Sequence, residues 1–191
     1  MARPRGFDTG LAVERAMRLF RRQGYHATPL PHLTARLHIG SGSLYAAFGS
    51  KEGLYARALD LYCADLVRDF AERLRSDGDI RTTVRELLLA LAAADLAEPE
   101  RGCLLVNAVT ERSGHPPTVE RVGAAMAAVE LLLADALRRA QARGELRAAQ
   151  DPAELARFLT AFVQGLHVMG NARAGRGFLE SAVSGALRAL D

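Results

Sequence analysis

Apolar residues recur at helical spacing in one segment after another of this 191-residue chain. The first such segment has its apolar positions at i, i+4, i+7 and i+8, namely Ala12, Ala16, Leu19 and Phe20. That spacing predicts one buried stripe on an α-helix. Asp8 or Thr9 suits the start of this helix, and Gly24 suits its end. Because no segment shows the alternation of a strand, we predict an all-α fold.

The rest of the chain predicts further helices joined by short connections, about nine in all. The later ones are expected at about 51–75, 80–97, 101–112, 118–143 and 152–172, with a last one reaching Leu190. Residues 113–117 contain two prolines and are expected to form a loop between two of these helices. Aromatic residues make up only 6% of the chain and Trp is absent, so the core must consist mainly of Leu, Ala and Val. Such a core favours helices.

Positive charge is concentrated near the start of the chain. Residues 1–57 hold nine basic and three acidic residues, a net charge of +6, whereas the rest of the chain carries −3. A basic segment on a mildly acidic body predicts a polyanionic partner for that segment.

Cysteine usage and hydropathy exclude several classes of protein. Cys63 and Cys103 lie too far apart for a C-x-x-C motif, so a zinc finger or disulfide scaffold is not expected. The longest stretch without Asp, Glu, Lys or Arg, residues 158–172, is shorter than the ~20 residues of a membrane span, and the uncharged apolar stretch at 87–94 is much shorter. No secretory signal is visible. We predict a cytoplasmic protein with reduced thiols and no membrane partner.

Residues 28–48 have the spacing of a helix-turn-helix, with a turn at 38–40 and a recognition helix at about 41–48. The recognition helix carries mostly small residues around the apolar anchors Leu44 and Phe48; they are Ser41, Gly42, Ser43, Ala46 and Ala47. Small residues let a helix enter the DNA major groove, ~12 Å wide, and hydroxyl groups can bond to base edges or phosphates.

Other side chains near this motif are predicted to contact the DNA backbone. Tyr45 is too large to read a base closely, so we assign its phenol to a phosphate. Lys51 lies in the first turn of the next helix, where free N–H groups already favour an anion. Arg3 and Arg5 form a short basic tail that is either a DNA-binding arm or a solvated terminus.

Residues 44–54, with the sequence Leu-Tyr-Ala-Ala-Phe-Gly-Ser-Lys-Glu-Gly-Leu, resemble the signature of the tetracycline-repressor-like (TetR) family of bacterial regulators. That signature is Leu-Tyr-x-x-Phe, a two-residue linker, and Lys-Glu-x-Leu. The upstream residues that also fit are Ala16, Leu19, Phe20, Gly24, Tyr25 and Thr28. Two departures concern the turn, where His38 must adopt a glycine-favoured conformation and Gly40 replaces a hydroxyl cap.

The resemblance implies a DNA-binding domain at 1–52 and a helical ligand-binding and dimerisation domain at 53–191. It implies a repressor, not an enzyme, that binds a pseudo-palindromic operator as a homodimer and is released by a non-covalent small-molecule effector, with no other cofactor. It also implies that Thr28 caps the second helix and donates to a phosphate. The DNA-contacting residues are then Arg3, Arg5, Thr28, Ser41, Gly42, Ser43, Tyr45 and Lys51.

The last two helices carry apolar stripes that suit a four-helix bundle between two subunits. The residues expected at this dimer interface are Leu155, Phe158, Leu159, Phe162, Leu166, Phe178, Leu179, Val183 and Leu187. An effector pocket is expected among helices rich in small residues, and its candidate lining residues are Leu88, Leu104, Asn107, Met126, Glu130, Phe162, His167 and Met169.

Four alternatives remain open at this point. The helix-turn-helix spacing also suits a three-helix protein-interaction unit. Glu111, Ser113 and His115 are close enough in sequence to suggest a catalytic set. Three histidines at six-residue intervals suggest a metal site, although no two of them have the i, i+4 spacing of a metal site on a helix. They are His26, His32 and His38. Cys63 and Cys103 suggest a regulator that senses redox state through its thiols.

Overall fold

The computed structural model describes residues 7–75, 78–98 and 102–191. Nine α-helices and one 3₁₀ turn form the regular structure of these residues, and no strand occurs among them. They are α1 (Thr9–Gln23), α2 (Leu30–Leu37), α3 (Ser41–Phe48), α4 (Lys51–Arg73), α5 (Ile80–Ala97), α6 (Leu104–Glu111), α7 (Pro116–Ala142), α8 (Pro152–Asn171), α9 (Arg176–Leu187) and the turn Arg188–Leu190. The predicted all-α fold with about nine helices is confirmed.

The ends of the helices follow from local chemistry. Asp8 begins α1, because its carboxylate accepts from the N–H groups of Gly10 and Leu11, at 2.8 and 3.1 Å. Gly24 ends α1 with φ +80°, a conformation that glycine adopts without strain. The prediction of a loop at 113–117 is wrong for its last two residues, since α7 begins at Pro116 instead of Thr118. Proline fits a first helical turn because its missing N–H has no intrahelical partner there.

The chain forms two compact units. The first consists of the residues up to Asp65 together with Cys103–Val122, and the second of Leu66–Gly102 and Gly123–Asp191. The first unit is therefore larger than the DNA-binding domain predicted at 1–52, since it takes in α6 and the start of α7. The functional boundary at residue 52 remains a prediction.

The core of the first unit is made of buried apolar side chains from its helices. They are Ala12, Ala16, Phe20, Leu33, Leu37, Leu44, Ala47, Phe48, Leu54, Tyr55, Ala58, Leu59, Tyr62, Cys103, Leu104, Leu105, Ala108 and Val122. At its centre the ring of Phe20 meets the ring of Tyr55 edge to face, with 4.9 Å between centroids.

The core of the second unit is formed where α5 packs against α8 and α9. This core corrects part of the predicted dimer interface. The predicted interface residues that are instead buried within one chain are Leu159, Leu166, Leu179, Val183 and Leu187. Leu155 and Phe162 pack partly against the same core. The regular apolar stripes of α8 and α9 cover the core of their own unit, so the five buried residues are not available to a second copy.

A different face of α8 and α9 remains uncovered. Phe158 is 43% exposed and Phe178 is 50% exposed, as the prediction requires of interface residues. Val168 on α8, which was not predicted, is 47% exposed. Gly165 lies on the same side of α8, and a side chain there would meet no atom within 4 Å.

The helices of residues 7–75, 78–98 and 102–191 differ in length and hydropathy. None of them is both long and apolar enough to cross a bilayer.

Candidate nucleic-acid interface

Helices α2 and α3 pack against each other and form the helix-turn-helix. Leu33 and Leu37 of α2 are buried, as are the anchors Leu44 and Phe48 of α3. Because these residues fix one side of α3 to the core, the opposite side of α3 is held rigidly toward solvent. This is the arrangement that a recognition helix needs.

The turn between the two helices has the predicted backbone. His38 ends α2 in the left-handed region, with φ 55° and ψ 41°, as expected for a residue at a glycine-favoured position. Its N–H bonds to the carbonyl of Ala35 at 3.4 Å. Gly40 begins α3 without a side-chain cap, so the first turn of the recognition helix keeps N–H groups available to an external acceptor.

The exposed face of α3 consists of Ser41, Gly42, Ser43, Tyr45 and Ala46. Tyr45 is 50% exposed, which leaves its phenol accessible. A side chain at Gly42 would meet no atom within 4 Å, so packing within the protein does not require a glycine there. The prediction that Ala47 belongs to the same surface is wrong, because Ala47 is buried beside the anchors of α3.

Thr28 does not cap α2, contrary to the prediction. Pro29 occupies the cap position, and no side chain bonds to the first N–H groups of the helix. The hydroxyl of Thr28 instead donates to the carbonyl of Gly24 at 2.7 Å, and the residue is fully buried. Thr28 therefore closes the loop between α1 and α2, and in this conformation its hydroxyl is out of reach of a phosphate.

Lys51 lies in the first turn of α4 and is already engaged within the protein. Its Nζ donates to the carbonyl of Tyr25 at 2.6 Å and lies 4.1 Å from the centre of the Tyr25 ring. Partial burial, with a smaller contribution from the Arg112 charge, lowers the pKa of Lys51. An ammonium has three donors, so the bond to Tyr25 leaves capacity for an anion. Its predicted phosphate contact remains a prediction.

The link from α3 to α4 depends on two small residues. The hydroxyl of Ser50 accepts from the N–H of Gly53 at 3.0 Å and so caps α4. A side chain on Gly53 would stand 2.0 Å from the carbonyl oxygen of Phe48. Gly53 is therefore what allows α4 to begin directly behind the recognition helix.

The end of α6 holds the loop after α1 through a carboxylate. Glu111 accepts from the backbone N–H groups of Tyr25 and His26, at 2.7 and 3.0 Å. From its sequence neighbours, Glu111 was a candidate only for a catalytic set. Its partners are instead the backbone groups of the loop that leads into the helix-turn-helix.

Arg112 and His115 extend the same contact to α4. Arg112 is 8% exposed, donates to Glu52 at 3.0 Å and lies over the rings of Tyr25 and Tyr55, at 4.1 and 5.2 Å from their centres. His115 also pairs with Glu52. Sequence reasoning missed these contacts, because Tyr25 and Glu52 lie more than fifty residues before the residues that they contact and no local pattern joins them. We call Glu111, Arg112 and His115 the α6–α7 clamp.

The predicted basic tail is formed by Arg3 and Arg5. Both residues lie outside the residues that the structure describes.

The residues predicted to line the effector pocket do not all lie in one unit. Leu104 and Asn107 belong to the first unit, where the Asn107 amide donates to the Arg21 carbonyl at 3.0 Å. The others belong to the second unit and are Leu88, Met126, Glu130, Phe162, His167 and Met169. Leu88 is buried in its core, and Phe162 and Met169 pack against that core.

A buried polar pair in the second unit involves one of these candidates. His167 Nδ1 lies 2.7 Å from Asp95 Oδ2, and both residues are at least 95% buried. Two further polar atoms on α8, Thr160 Oγ1 and Gln164 Oε1, are buried without a hydrogen-bond partner in the described structure. Sequence reasoning did not select Asp95, although an acid within the apolar helix α5 was a usable signal.

The two thiols lie in the first unit. Burial raises the pKa of Cys63 to about 11, and Cys103 is buried with its sulfur 3.6 Å from the Tyr62 hydroxyl. A protonated, shielded thiol is a poor nucleophile. Nothing in this arrangement favours the redox-sensing alternative.

The three histidines proposed as a metal site have other surroundings. His26 Nε2 lies 3.3 Å from the Glu111 carbonyl, His32 lies 3.4 Å from Arg36 Nε, and His38 forms the turn. Across residues 7–75, 78–98 and 102–191, no group of three or more His, Cys, Asp or Glu side chains is arranged to hold a metal ion.

Comparison with known proteins identifies the two parts of the chain. Residues 12–58 match the family model described as bacterial regulatory proteins, tetR family, and residues 82–184 match the tetracyclin repressor-like C-terminal domain. The chain belongs to the TetR family. It is accordingly a DNA-binding transcriptional regulator and not an enzyme.

Individual relatives agree with this assignment. The chain is 30% identical to the uncharacterized HTH-type transcriptional regulator YezE of Bacillus subtilis, over the full length of both proteins. It is also 30% identical to the HTH-type transcriptional repressor ComR of Escherichia coli, over 87% of this chain and 80% of ComR. A cysteine mutant of the TetR family regulator CifR, complexed with 26-bp operator DNA, is 37% identical with a TM-score of 0.88 and covers 99% of this chain and all of CifR.

Proposed function

We propose that this TetR-family regulator is a repressor that binds a pseudo-palindromic operator as a homodimer and leaves it when a small molecule binds. The observation that carries the proposal is the exposed face of α3, where Ser41, Gly42 and Ser43 are presented on a helix anchored by Leu44 and Phe48. ComR is named as a repressor, and a cysteine mutant of CifR is complexed with operator DNA, which supports repression by DNA binding. Since operator DNA is chromosomal, we also propose a cytoplasmic location.

Dimerisation is supported by the uncovered face of α8 and α9. Phe158, Val168 and Phe178 are large apolar residues that stay about half exposed in a single chain. Gly165 lies on the same side of α8, where it would let a second helix approach closely. One short recognition helix gives little specificity, whereas two held ~34–36 Å apart read a palindrome.

Effector release requires that the helical body influence α3. Helix α4 begins at Lys51 behind the recognition helix and runs past Asp65, the boundary of the first unit. Helix α7 crosses the same boundary after the α6–α7 clamp. A ligand that shifts either helix in the body would therefore act on the loop after α1 and on the start of α4.

The test of DNA binding is a fluorescence titration with duplex DNA from upstream of the protein's own gene, repeated across salt concentrations. A DNA-binding dimer loses affinity steeply as salt rises, by a slope of about −0.9 for each neutralised phosphate. The proposal fails if the protein binds this duplex no better than an unrelated duplex of equal length.

Single substitutions on α3 and α4 test the assigned roles. Ser43→Ala is expected to change which sequences are preferred, because its hydroxyl faces the base edges. Lys51→Ala is expected to weaken binding to all sequences alike, since a phosphate carries no sequence information. Because Lys51 also holds the Tyr25 carbonyl, the thermal stability of this variant must be measured alongside its affinity. The opposite pattern would mean that the roles are misassigned.

A further inference from the structure

A strongly basic groove lies on the first unit, and none of its lining residues belongs to α3. One wall is α1, which supplies Arg15, Arg18 and Arg22 with Leu19 between them. The other wall is the end of α2 and the turn, which supply Arg36 and His38. The groove has a volume of about 420 Å³.

The arginines of α1 form this wall because of their spacing. Arg15, Arg18 and Arg22 fall at i, i+3 and i+7, so they share one side of the helix next to the buried stripe. All three are exposed, as are Arg36 and His38. The groove therefore presents guanidinium groups from two helices to the same volume of solvent.

Little negative charge from the protein neutralises the groove. The one acidic residue of α1, Glu14, lies 3.6 Å from Arg18, and both side chains are at least half exposed. Such a surface pair is weak and screened by salt. Within the described part of the chain, Arg15 and Arg22 have no acidic partner. Clustered like charges oppose folding unless an external anion compensates them.

We propose that this groove is a second DNA-binding surface, which holds backbone phosphates of the duplex outside the bases that α3 reads. The inference rests on the proposed function, because the same unit must first engage duplex DNA through α3. Planar guanidinium groups pair with phosphate oxygens in a bidentate way. The groove reaches the helix-turn-helix itself, since His38 is three residues before Ser41. Duplex DNA carries a phosphate charge every ~1.7 Å along its axis, which suits a row of arginines.

The lining of the groove is distinct from the residues predicted above to contact bases or phosphates, none of which belongs to it. Its composition is also unlike that of a pocket for an apolar ligand, because Leu19 is its single apolar lining residue. A soluble polyphosphate has the same chemistry as the DNA backbone, so the experiment must separate the two sources of phosphate.

The test compares the double variant Arg15→Gln/Arg22→Gln with the control Arg138→Gln/Arg147→Gln. The control removes the same charge from exposed positions of the second unit. Affinity for operator DNA and for an unrelated duplex of equal length is measured by fluorescence anisotropy at several salt concentrations. Binding of sodium tripolyphosphate is measured by calorimetry. Circular dichroism checks folding, and Arg36→Gln replaces the double variant if that variant does not fold.

The groove variant is expected to bind both duplexes about tenfold more weakly at moderate salt, with a salt dependence shallower by about 0.9 for each phosphate that it no longer neutralises. The control is expected to keep the wild-type slope. Unchanged affinity and slope in the groove variant would overturn the inference. A variant that fails only to bind tripolyphosphate would overturn it too, because the groove would then be a site for a soluble anion. If the wild-type protein itself fails to prefer the operator, the proposed function has failed, and the inference falls with it.

Discussion

The carboxylate of Glu111 occupies the space that a side chain on Gly24 would need. A Cβ at residue 24 would lie 1.6 Å from Glu111 Oε1. Because residue 24 has no side chain, the Glu111 side chain can lie against the loop after α1. Its carboxylate there accepts from the N–H groups of Tyr25 and His26. This contact ties the helix-turn-helix to α6 within the first unit.

Gly24→Ala is expected to destabilise the first unit by about 2 kcal/mol or more. The backbone of Gly24, with φ 80° and ψ 178°, lies in a region that is essentially restricted to glycine and costs an alanine about 1–3 kcal/mol, and the clash with Glu111 adds to it. Chemical denaturation followed by circular dichroism gives the free energy of unfolding. DNA affinity is expected to fall as well, because the loop leads into α2.

Gly175→Ala is the matched control for the clash. The backbone at Gly175, with φ 85° and ψ 161°, is close to that of Gly24, but a side chain there would meet no atom within 4 Å. It therefore carries the conformational cost without the steric one. Equal destabilisation by the two substitutions would show that the Glu111 contact contributes nothing.

Gly42→Ala separates stability from DNA binding. Within the protein nothing obstructs a methyl group at residue 42, so the substitution is expected to raise helix stability by up to about 1 kcal/mol. On the exposed face of α3 the same methyl group would hold the helix away from the base edges, so operator affinity is expected to fall. Thermal unfolding and an operator titration measure the two effects.

Gly123→Ala provides the comparison for that result. It also lies within a helix, α7, and a side chain there would meet no atom within 4 Å. A similar gain in stability with unchanged operator affinity is expected. If Gly42→Ala binds the operator as tightly as wild type, close approach at residue 42 is not part of recognition.

The sequence was sufficient to predict the fold and the recognition helix. Helical spacing and helix-ending residues are local signals, and the predicted bounds of α3 at 41–48 and of α5 at 80–97 agree with the structure. The conformation of His38 was predicted from the family resemblance instead, because the resembled pattern has a glycine at that position of the turn.

Contacts between distant segments could not be predicted in this way. Thr28 was read as a helix cap, yet the hydroxyl bonds to Gly24 because the loop after α1 folds back on itself. The α6–α7 clamp depends on packing that no local pattern encodes. Likewise, an apolar stripe on α8 identifies a buried face but not its partner, and residues such as Leu159 are buried in the core of the second unit.

Phe158→Arg is expected to convert the proposed dimer into a folded monomer. Phe158 is 43% exposed on the uncovered face of α8, so a charge there is solvated in the monomer but would be buried against a second copy. Light scattering coupled to size-exclusion chromatography gives the mass. Loss of dimerisation is expected to lower operator affinity as well, since the two recognition helices then no longer bind as one body.

Val119→Arg is the control for an added surface charge. Val119 is 41% exposed, but it lies at the start of α7 in the first unit, whereas Phe158 belongs to the second. This variant is expected to remain dimeric. A dimeric Phe158→Arg protein would mean that copies associate through another surface.

The thiol of Cys63 is expected to react slowly and with a displaced pH dependence. Burial first, and the nearby Asp60 charge second, raise its pKa to about 11. The thiolate is the reactive form, so the rate of alkylation by iodoacetamide should increase about tenfold for each pH unit and level off only near pH 11. In urea the thiol returns to its ordinary pKa, and its alkylation at pH 7.5 should be about a hundredfold faster. Peptide mass spectrometry after timed quenching separates Cys63 from Cys103. Equal rates in the folded and the unfolded protein would mean that Cys63 is an accessible thiol of ordinary pKa, and redox sensing would regain support.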